Sequence, residues 1–119
     1  MSETRTTQIL ELNARSKVVN VTGAEAIAYT LKPGSKFRLK EIRVHLSAAG
    51  EAGNLTATVD AAAGEAYDAV VYSQDMTAIT DLFYQPTFPI QFEATDEVDF
   101  VWANGSSRTY GLSIYYDLL

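Results

Sequence analysis

The sequence predicts an all-β protein, an antiparallel two-sheet β-sandwich of the jelly-roll type with eight or nine short strands. Three observations predict this class. Apolar and polar residues alternate with a period of two nearly throughout, as they do in half-buried strands. Turn-forming residues recur at roughly ten-residue intervals, which is the spacing of strands in sandwiches. The regular alternation of strands with long helical patterns that marks an α/β protein is missing.

The composition indicates one globular domain preceded by a short arm. The chain has 119 residues, of which 47% are hydrophobic and 20% charged. It has no cysteine, so neither disulfides nor thiolate metal sites contribute, and this fits a reducing cytosol. Residues 1–16 are mostly polar, with Ile9, Leu10 and Leu12 as apolar anchors. We therefore expect an N-terminal arm over 1–16 and a single β-sandwich domain over 17–119.

The first strands lie in "KVVNV" and "AIAYTL", and Pro33-Gly34 forms the turn after the second. The next strand, "KFRLKEIRVHL", contains a phase slip, because Phe37 has the opposite parity to Ile42. One extra residue near Lys40–Glu41, a β-bulge, would place both on the same face. The opposite face then carries a basic stripe, consisting of Lys36, Arg38, Arg43 and His45.

The middle of the chain predicts two strands, a loop and a helical turn. "NLTATVD" alternates cleanly, "AAAGEA" is a loop, and "YDAVVYS" is a strand in which Ala69 and Val71 share a face with Tyr67. "SQDMTAITDLF" has apolar residues at helical spacing after Ser73, which could act as an N-cap. It predicts one short helical turn that crosses between the sheets.

The last third predicts three strands. "PIQFEA" is a short strand with Pro89 at its start, where the missing N–H does least harm. "EVDFVWA" and "TYGLSIYYD" both alternate, and "NGSSR" connects them. Because Asn104-Gly105 tolerates positive φ, this connection predicts a β-hairpin.

Charge is distributed unevenly along the chain. Residues 1–50 contain eight of the nine basic residues and four acids, whereas residues 51–119 contain Arg108 and eleven acids. Most aromatic residues lie in the acidic part, which disfavours nucleic-acid binding. No apolar run is long enough for a membrane span. The asymmetry favours subunits that meet basic region to acidic region.

The sequence predicts no catalytic, cofactor or metal-binding residue. His45 is the only histidine, it shares a polar strand face with Arg43, and no nucleophile-elbow motif is present. Carboxylate pairs suitable for glycoside hydrolysis arise easily by chance among eleven acids, and no local motif distinguishes one. "TDEVD", residues 95–99, could supply oxygen ligands to Ca²⁺, but its spacing is that of the polar face of a strand. We expect a protein that is not an enzyme.

The aromatic residues leave two functions open. Exposed aromatic side chains serve either as stacking platforms for carbohydrate or as anchors of subunit interfaces. The candidates for carbohydrate stacking are Tyr67, Tyr72, Tyr84, Phe88 and Tyr115. The residues that we expect at interfaces are Arg5, Ile9, Leu10, Arg15, Arg38, Arg43, Tyr72, Phe83 and Tyr84.

Several segments together resemble those of small β-sandwich structural proteins of tailed-bacteriophage virions. The similar segments are "YDAVVYSQD", "DLFYQP", the "PI" strand and "WANGSSRTYGL", and the resemblance covers residues 34–117. It departs at Thr95-Asp96, where "GD" would be expected.

The resemblance implies a capsid decoration (cement) protein, located in the virion and assembled in the host cytoplasm. Such proteins often form homotrimers and grip the major capsid protein, or another virion protein, with a terminal arm. The alternative is a carbohydrate- or receptor-binding module of a phage tail or fibre, because one sandwich fold serves many roles.

Overall fold

The computed structural model describes residues 15–119, and within this range the chain forms nine strands and one 3₁₀ turn. The strands are β1 (Ser16–Gly23), β2 (Ile27–Leu31), β3 (Phe37–Leu46), β4 (Asn54–Asp60), β5 (Val70–Asp75), β6 (Asp81–Tyr84), β7 (Ile90–Phe92), β8 (Glu97–Trp102) and β9 (Tyr110–Leu118). The 3₁₀ turn, Glu65–Tyr67, lies between β4 and β5. Of the predicted arm, only Arg15 and Ser16 lie within the described residues, and Ser16 already belongs to β1.

The strands form two antiparallel sheets that together make a jelly roll. The larger sheet has the order β1-β9-β3-β6, with β7 also pairing with β3, and the smaller has the order β2-β8-β4-β5. β6 pairs with the second half of β3 and β7 with its first half, so together they occupy one edge position. Eight strand positions in two four-position sheets, with most connections crossing between sheets, define the jelly-roll topology. The predicted fold class is confirmed.

The core lies between the sheets and is formed by the inward-facing residues of both. Phe37, Phe100 and Trp102 are the largest of its fully buried side chains. Phe37 stacks on Phe92 with ring centroids 4.8 Å apart, which ties β3 to β7. Each large apolar side chain buried in this way contributes about 1.5–3 kcal/mol relative to an exposed one.

The β-bulge predicted in the long strand is confirmed. The register of β3 against β9 shifts between Leu39 and Glu41, and Leu39 and Ile42 are both buried. The basic stripe lies on the face opposite the core, as the sequence predicted, because Arg38, Arg43 and His45 alternate with buried residues along β3. The extra residue therefore keeps one face of this strand apolar over its whole length.

Two smaller predictions about turns are also confirmed. Gly34 has a φ of 77°, so the connection after β2 uses the backbone freedom of glycine. Pro89 immediately precedes β7 and takes no part in its ladder.

The predicted hairpin at "NGSSR" is wrong, because β8 and β9 belong to different sheets. Asn104 has the expected positive φ, 49°, but its side chain is buried and holds a crossing connection. Its Nδ2 donates to the carbonyl oxygens of Glu25 (2.8 Å) and Arg108 (2.9 Å), and its Oδ1 accepts from the Arg108 N–H (2.9 Å). Asn104 thus fastens the β8–β9 connection to the β1–β2 connection.

The predicted helical turn in "SQDMTAITDLF" is wrong as secondary structure, although the crossing between sheets is confirmed. Ser73 lies within β5 and caps no helix. The chain turns between β5 and β6 with Ala78 at a φ of 61°, and Met76 enters the core. Asp75 stabilises the turn by accepting from the Thr77 backbone N–H (3.0 Å) and hydroxyl (2.7 Å). These two bonds hold the pKa of the Asp75 carboxyl below its ordinary value.

Tyr67 does not share a strand face with Ala69 and Val71. It ends the 3₁₀ turn that precedes β5, and its side chain is exposed. The reason is local, since Gly64 adopts a φ of 120° and the chain turns again before the ladder begins.

Candidate interaction surfaces

The side of the sandwich formed by β5 and β6 is closed by two stacked tyrosines. β5 is an edge strand of the smaller sheet and β6 of the larger one. Tyr72 and Tyr84 point between the sheets, and their rings stack with centroids 4.0 Å apart and planes 19° apart. Burial, with a smaller contribution from Tyr84, raises the pKa of the Tyr72 hydroxyl. Their ring faces are engaged with each other, so neither offers both faces as a free platform.

Exposed apolar side chains are concentrated on this same side, which we call the β5/β6 edge and define as β5, β6 and the connections at 61–69 and 85–89. Among the described residues it carries Tyr67 (66% exposed), Val70 (59%), Phe83 (60%) and Phe88 (81%). The other large exposed apolar side chains in 15–119 are Val18, Val101 and Leu119, at separate places in the fold. Edge strands with exposed apolar side chains favour association with another chain.

The outer face of the larger sheet carries the basic stripe in a largely neutralised form. The Arg43 guanidinium lies between two rings, 5.5 Å from the Phe83 centroid and 4.7 Å from that of Tyr115. Its Nε donates to the Glu41 carboxylate. Arg38 Nη2 lies 3.9 Å from Asp117 Oδ2, and Lys40 Nζ lies 3.3 Å from Asp117 Oδ1. The cation–π geometry gives Arg43 a fixed position and makes Phe83 part of a defined cluster.

A depression of about 470 Å³ lies on this outer face. The outward residues of β9 at this level are Gly111 and Ser113, and these small residues belong to its lining. The neighbouring positions on β3 and β6 supply its larger side chains, Arg43, His45, Asp81 and Phe83. His45 Nδ1 and Asp81 Oδ1 are 2.5 Å apart, and both side chains are exposed.

The smaller sheet is the acidic part of the sandwich. Its four strands contain Asp60, Asp75, Glu97 and Asp99 and neither lysine nor arginine, whereas the strands of the larger sheet contain four basic and three acidic residues. The charge asymmetry along the sequence therefore becomes an asymmetry between the two sheets. The pKa of the Asp60 carboxyl is raised, chiefly by repulsion from Asp68 and further by Glu97 and Asp99.

The carboxylates near 95–99 are engaged in hydrogen bonds and an ion pair. Asp96 accepts from the backbone N–H groups of Ala62 (2.8 Å) and Glu93 (2.9 Å). Asp99 accepts from the Thr30 hydroxyl (2.6 Å), and Glu97 lies 3.2 Å from Lys32 Nζ. Within 15–119, no group of three or more histidine, aspartate or glutamate side chains is placed to hold a metal ion. Nor does any helix of this part of the chain have the length and apolar character to cross a membrane.

The structure brings together most of the interface residues predicted in the body of the protein. Phe83 contacts Arg43, Tyr84 contacts Tyr72, and Arg38 lies further along the same face of β3. Arg15 is exposed just before β1, while Arg5, Ile9 and Leu10 lie outside the described residues.

Sequence reasoning did not single out Gly111 and Ser113, which line the depression. The available signal was the pair of small residues at alternate positions in "YGLSIYY", among larger apolar ones. Whether two such small residues form a depression depends on the residues beside them on the neighbouring strands, and strand pairing is not local in sequence.

Comparison with known proteins adds little to this picture. No protein-family model and no curated protein matches the chain. Among solved structures, the chain is similar to the Yersinia pseudotuberculosis-derived mitogen, with 15% sequence identity and a TM-score of 0.40 over 87% of this chain and 86% of that one. A likeness at this level supports no inference about function.

Proposed function

We propose that this protein is a non-enzymatic structural component of a tailed-bacteriophage virion, a capsid decoration (cement) protein that assembles as a homotrimer through the β5/β6 edge. The observation that carries the proposal is the concentration of exposed apolar side chains along that edge, namely Tyr67, Val70 and Phe88. Phe83 lies beside Arg43 on the outer face of the larger sheet and stays outside this contact. Aromatic and apolar anchors of this kind are typical of subunit interfaces.

The charge distribution supports an oriented contact at this edge. β5 belongs to the acidic smaller sheet and β6 to the larger sheet, which contains the basic residues, so the two rims of the edge come from sheets that differ in charge. Complementary charges orient subunits and accelerate their association more than they add to affinity. A contact that sets one rim against the other rim of the next copy closes into a ring when the rotation permits, and a trimer is one such ring.

The position of β1 supports attachment through the arm. β1 is an edge strand of the larger sheet and begins at Ser16, so the start of this strand lies at the rim of the sandwich. The arm contains Arg5, Ile9 and Leu10, which combine positive charge with apolar anchors. We propose that this segment grips the major capsid protein or a neighbouring virion protein.

The edge is tested by sedimentation of the wild type, of a Val70→Ser/Phe88→Ser double variant and of a Val101→Ser control. Val101 is also an exposed apolar residue, but it lies in a central strand of the smaller sheet. We expect the wild type and the control to sediment at three times 13.0 kDa and the double variant to sediment as a monomer. A wild type that remains monomeric at every concentration would contradict the edge as an assembly surface.

The arm is tested separately by deletion of residues 2–14. We expect the truncated protein to remain trimeric, because the β5/β6 edge is intact, but to lose binding to preassembled capsid shells. Truncated protein that decorates shells with undiminished affinity would show that the arm is not the attachment segment.

A further inference from the structure

The depression on the outer face of the larger sheet has a shape suited to a small ring-shaped ligand. Gly111 has no side chain, and a Cβ placed there would meet no atom within 4 Å, so the space above it is open. Ser113 is drawn towards β1, since its hydroxyl donates to Asn20 Oδ1 at 2.7 Å. The volume of about 470 Å³ falls within the range of small-molecule sites, roughly 300–1,000 Å³.

The lining combines an apolar ring with hydrogen-bonding groups. Phe83 is well exposed, and Arg43 holds its position from the neighbouring strand. Two residues along the same strands, Asp81 and His45 form a pair that can accept and donate hydrogen bonds. A pyranose has an apolar C–H face that packs on an aromatic ring and a rim of hydroxyls that bond to carboxylate and imidazole groups.

The charges of the lining favour a neutral ligand. Arg43 is paired with Glu41, and His45 is paired with Asp81, so no cation is left without a carboxylate. An acidic sugar would have to compete with these carboxylates for their partners. The backbones of β3 and β9 offer no free pairing edge to a strand, because both are hydrogen-bonded on both sides.

We propose that this depression binds a neutral hexopyranose unit of a glycan, with Phe83 as the stacking ring and Asp81 and His45 as hydroxyl partners. This activity goes beyond the proposed virion role. It also places carbohydrate recognition away from Tyr72 and Tyr84, whose rings stack on each other.

The test is a titration of ¹⁵N-labelled protein in which amide chemical shifts report binding. The neutral ligands are N-acetylglucosamine and the methyl glycosides of glucose, galactose and mannose. Glucuronate serves as the acidic comparator. We expect saturable shifts at Gly111, Ser113 and Phe83 with at least one neutral sugar. A dissociation constant on the order of 1 mM is expected, given the small size of the ligand. Glucuronate should bind at least about tenfold more weakly.

Two variants and one control make the test specific. Gly111→Val fills the open space above β9 and should abolish the shifts, and Phe83→Ala should weaken binding by about tenfold. Ala28→Val adds similar bulk at an exposed strand position of the other sheet and should change nothing. Gly111→Val should also leave the sedimenting mass and shell binding unchanged, so failure of the glycan site and failure of the virion role are separable.

Three results would overturn the proposal. They are the absence of saturable shifts with every neutral sugar, shifts that survive Gly111→Val, and tighter binding of glucuronate than of any neutral sugar. Sugar-independent shifts at the depression that grow with protein concentration would show that a second copy of the chain occupies it.

Discussion

Asn104 shows how one side chain can determine a crossing between sheets. It combines a positive φ with three hydrogen bonds that satisfy both ends of a buried amide. The sequence correctly predicted a positive φ at Asn104, because tolerance of positive φ is a local property of asparagine, but Gly105 does not adopt one. It could not predict the carbonyl oxygen of Glu25 as a partner, because that contact joins residues 79 positions apart.

Removal of the Asn104 amide is expected to destabilise the protein substantially. Asn104→Ala should lower the free energy of unfolding by about 2–4 kcal/mol, since three bonds are lost and buried partners are left unsatisfied. Asn104→Gly should be about 1 kcal/mol less damaging, because glycine accepts the positive φ. Both values are measured by urea unfolding.

Ser107 supplies the control for Asn104. It lies in the same connection with a φ of 53°, but its side chain is exposed. Ser107→Ala should change the free energy of unfolding by less than about 0.5 kcal/mol. Equal effects at the two positions would show that backbone strain, rather than the buried amide, stabilises this connection.

At the scale of elements, alternation predicted the strands well, and turn chemistry predicted their connections poorly. The parity slip in β3 is a property of one strand, so the bulge between Leu39 and Glu41 was predictable. The residues of "NGSSR" suit both a hairpin within one sheet and a connection that crosses to the other sheet. Which of the two forms depends on the whole topology. The spacing of Met76 and Ile79 wrongly predicted a helical turn for a similar reason. A tight connection that crosses between sheets can also pack both side chains against the core.

The site was less predictable than the fold. Arg43 and Phe83 were expected at an interface, but their contact follows from the pairing of β3 with β6, and 34 residues, 47–80, separate these two strands in sequence. The depression needs the registers of three strands at once, so no local pattern in the sequence marks it.

The bulge makes a sharp prediction about β3. Deletion of Lys40 removes the extra residue, and Phe37, Leu39 and Ile42 then alternate regularly, so the strand keeps its apolar face and its register with β9. Deletion of Arg43, where the ladder has no extra residue, would instead turn Val44 and Leu46 to the solvent face. We expect the Lys40 deletion variant to fold cooperatively and the Arg43 deletion to cost more than about 5 kcal/mol and to leave the protein unfolded by circular dichroism. An unfolded Lys40 deletion variant would contradict the role of the bulge.

At the scale of the whole molecule, several tyrosines link stability to alkaline pH. Burial is the main cause that raises the pKa values of Tyr72, Tyr110 and Tyr116 above the ordinary 10.0. As the pH rises, these tyrosines therefore ionise in the unfolded chain before they ionise in the folded protein. Their contribution to the free energy of unfolding is complete below about pH 10 and is lost as the pH rises further. The free energy of unfolding should therefore fall above about pH 10.

Urea unfolding at a series of alkaline pH values measures this fall. The Tyr72→Phe variant removes one of the ionising groups, so its stability should fall less steeply than that of the wild type. Identical slopes in the two proteins would show that Tyr72 ionises equally in the folded and unfolded states.

The separation of charge between the sheets also belongs to the whole molecule. Because the acidic sheet and the basic stripe lie on opposite outer faces, added salt should slow association between copies. Contacts made by the apolar β5/β6 edge should persist at the same salt concentration, because they do not depend on charge.

The most direct measurement is electron cryomicroscopy of phage particles purified from cells that express the gene cluster containing this chain. We expect the jelly roll of residues 15–119 to fit density on the outer surface of the head, in groups of three that meet through their β5/β6 edges. Density for this fold in the tail or fibre, or particles that lack the protein, would contradict its role as a capsid decoration protein.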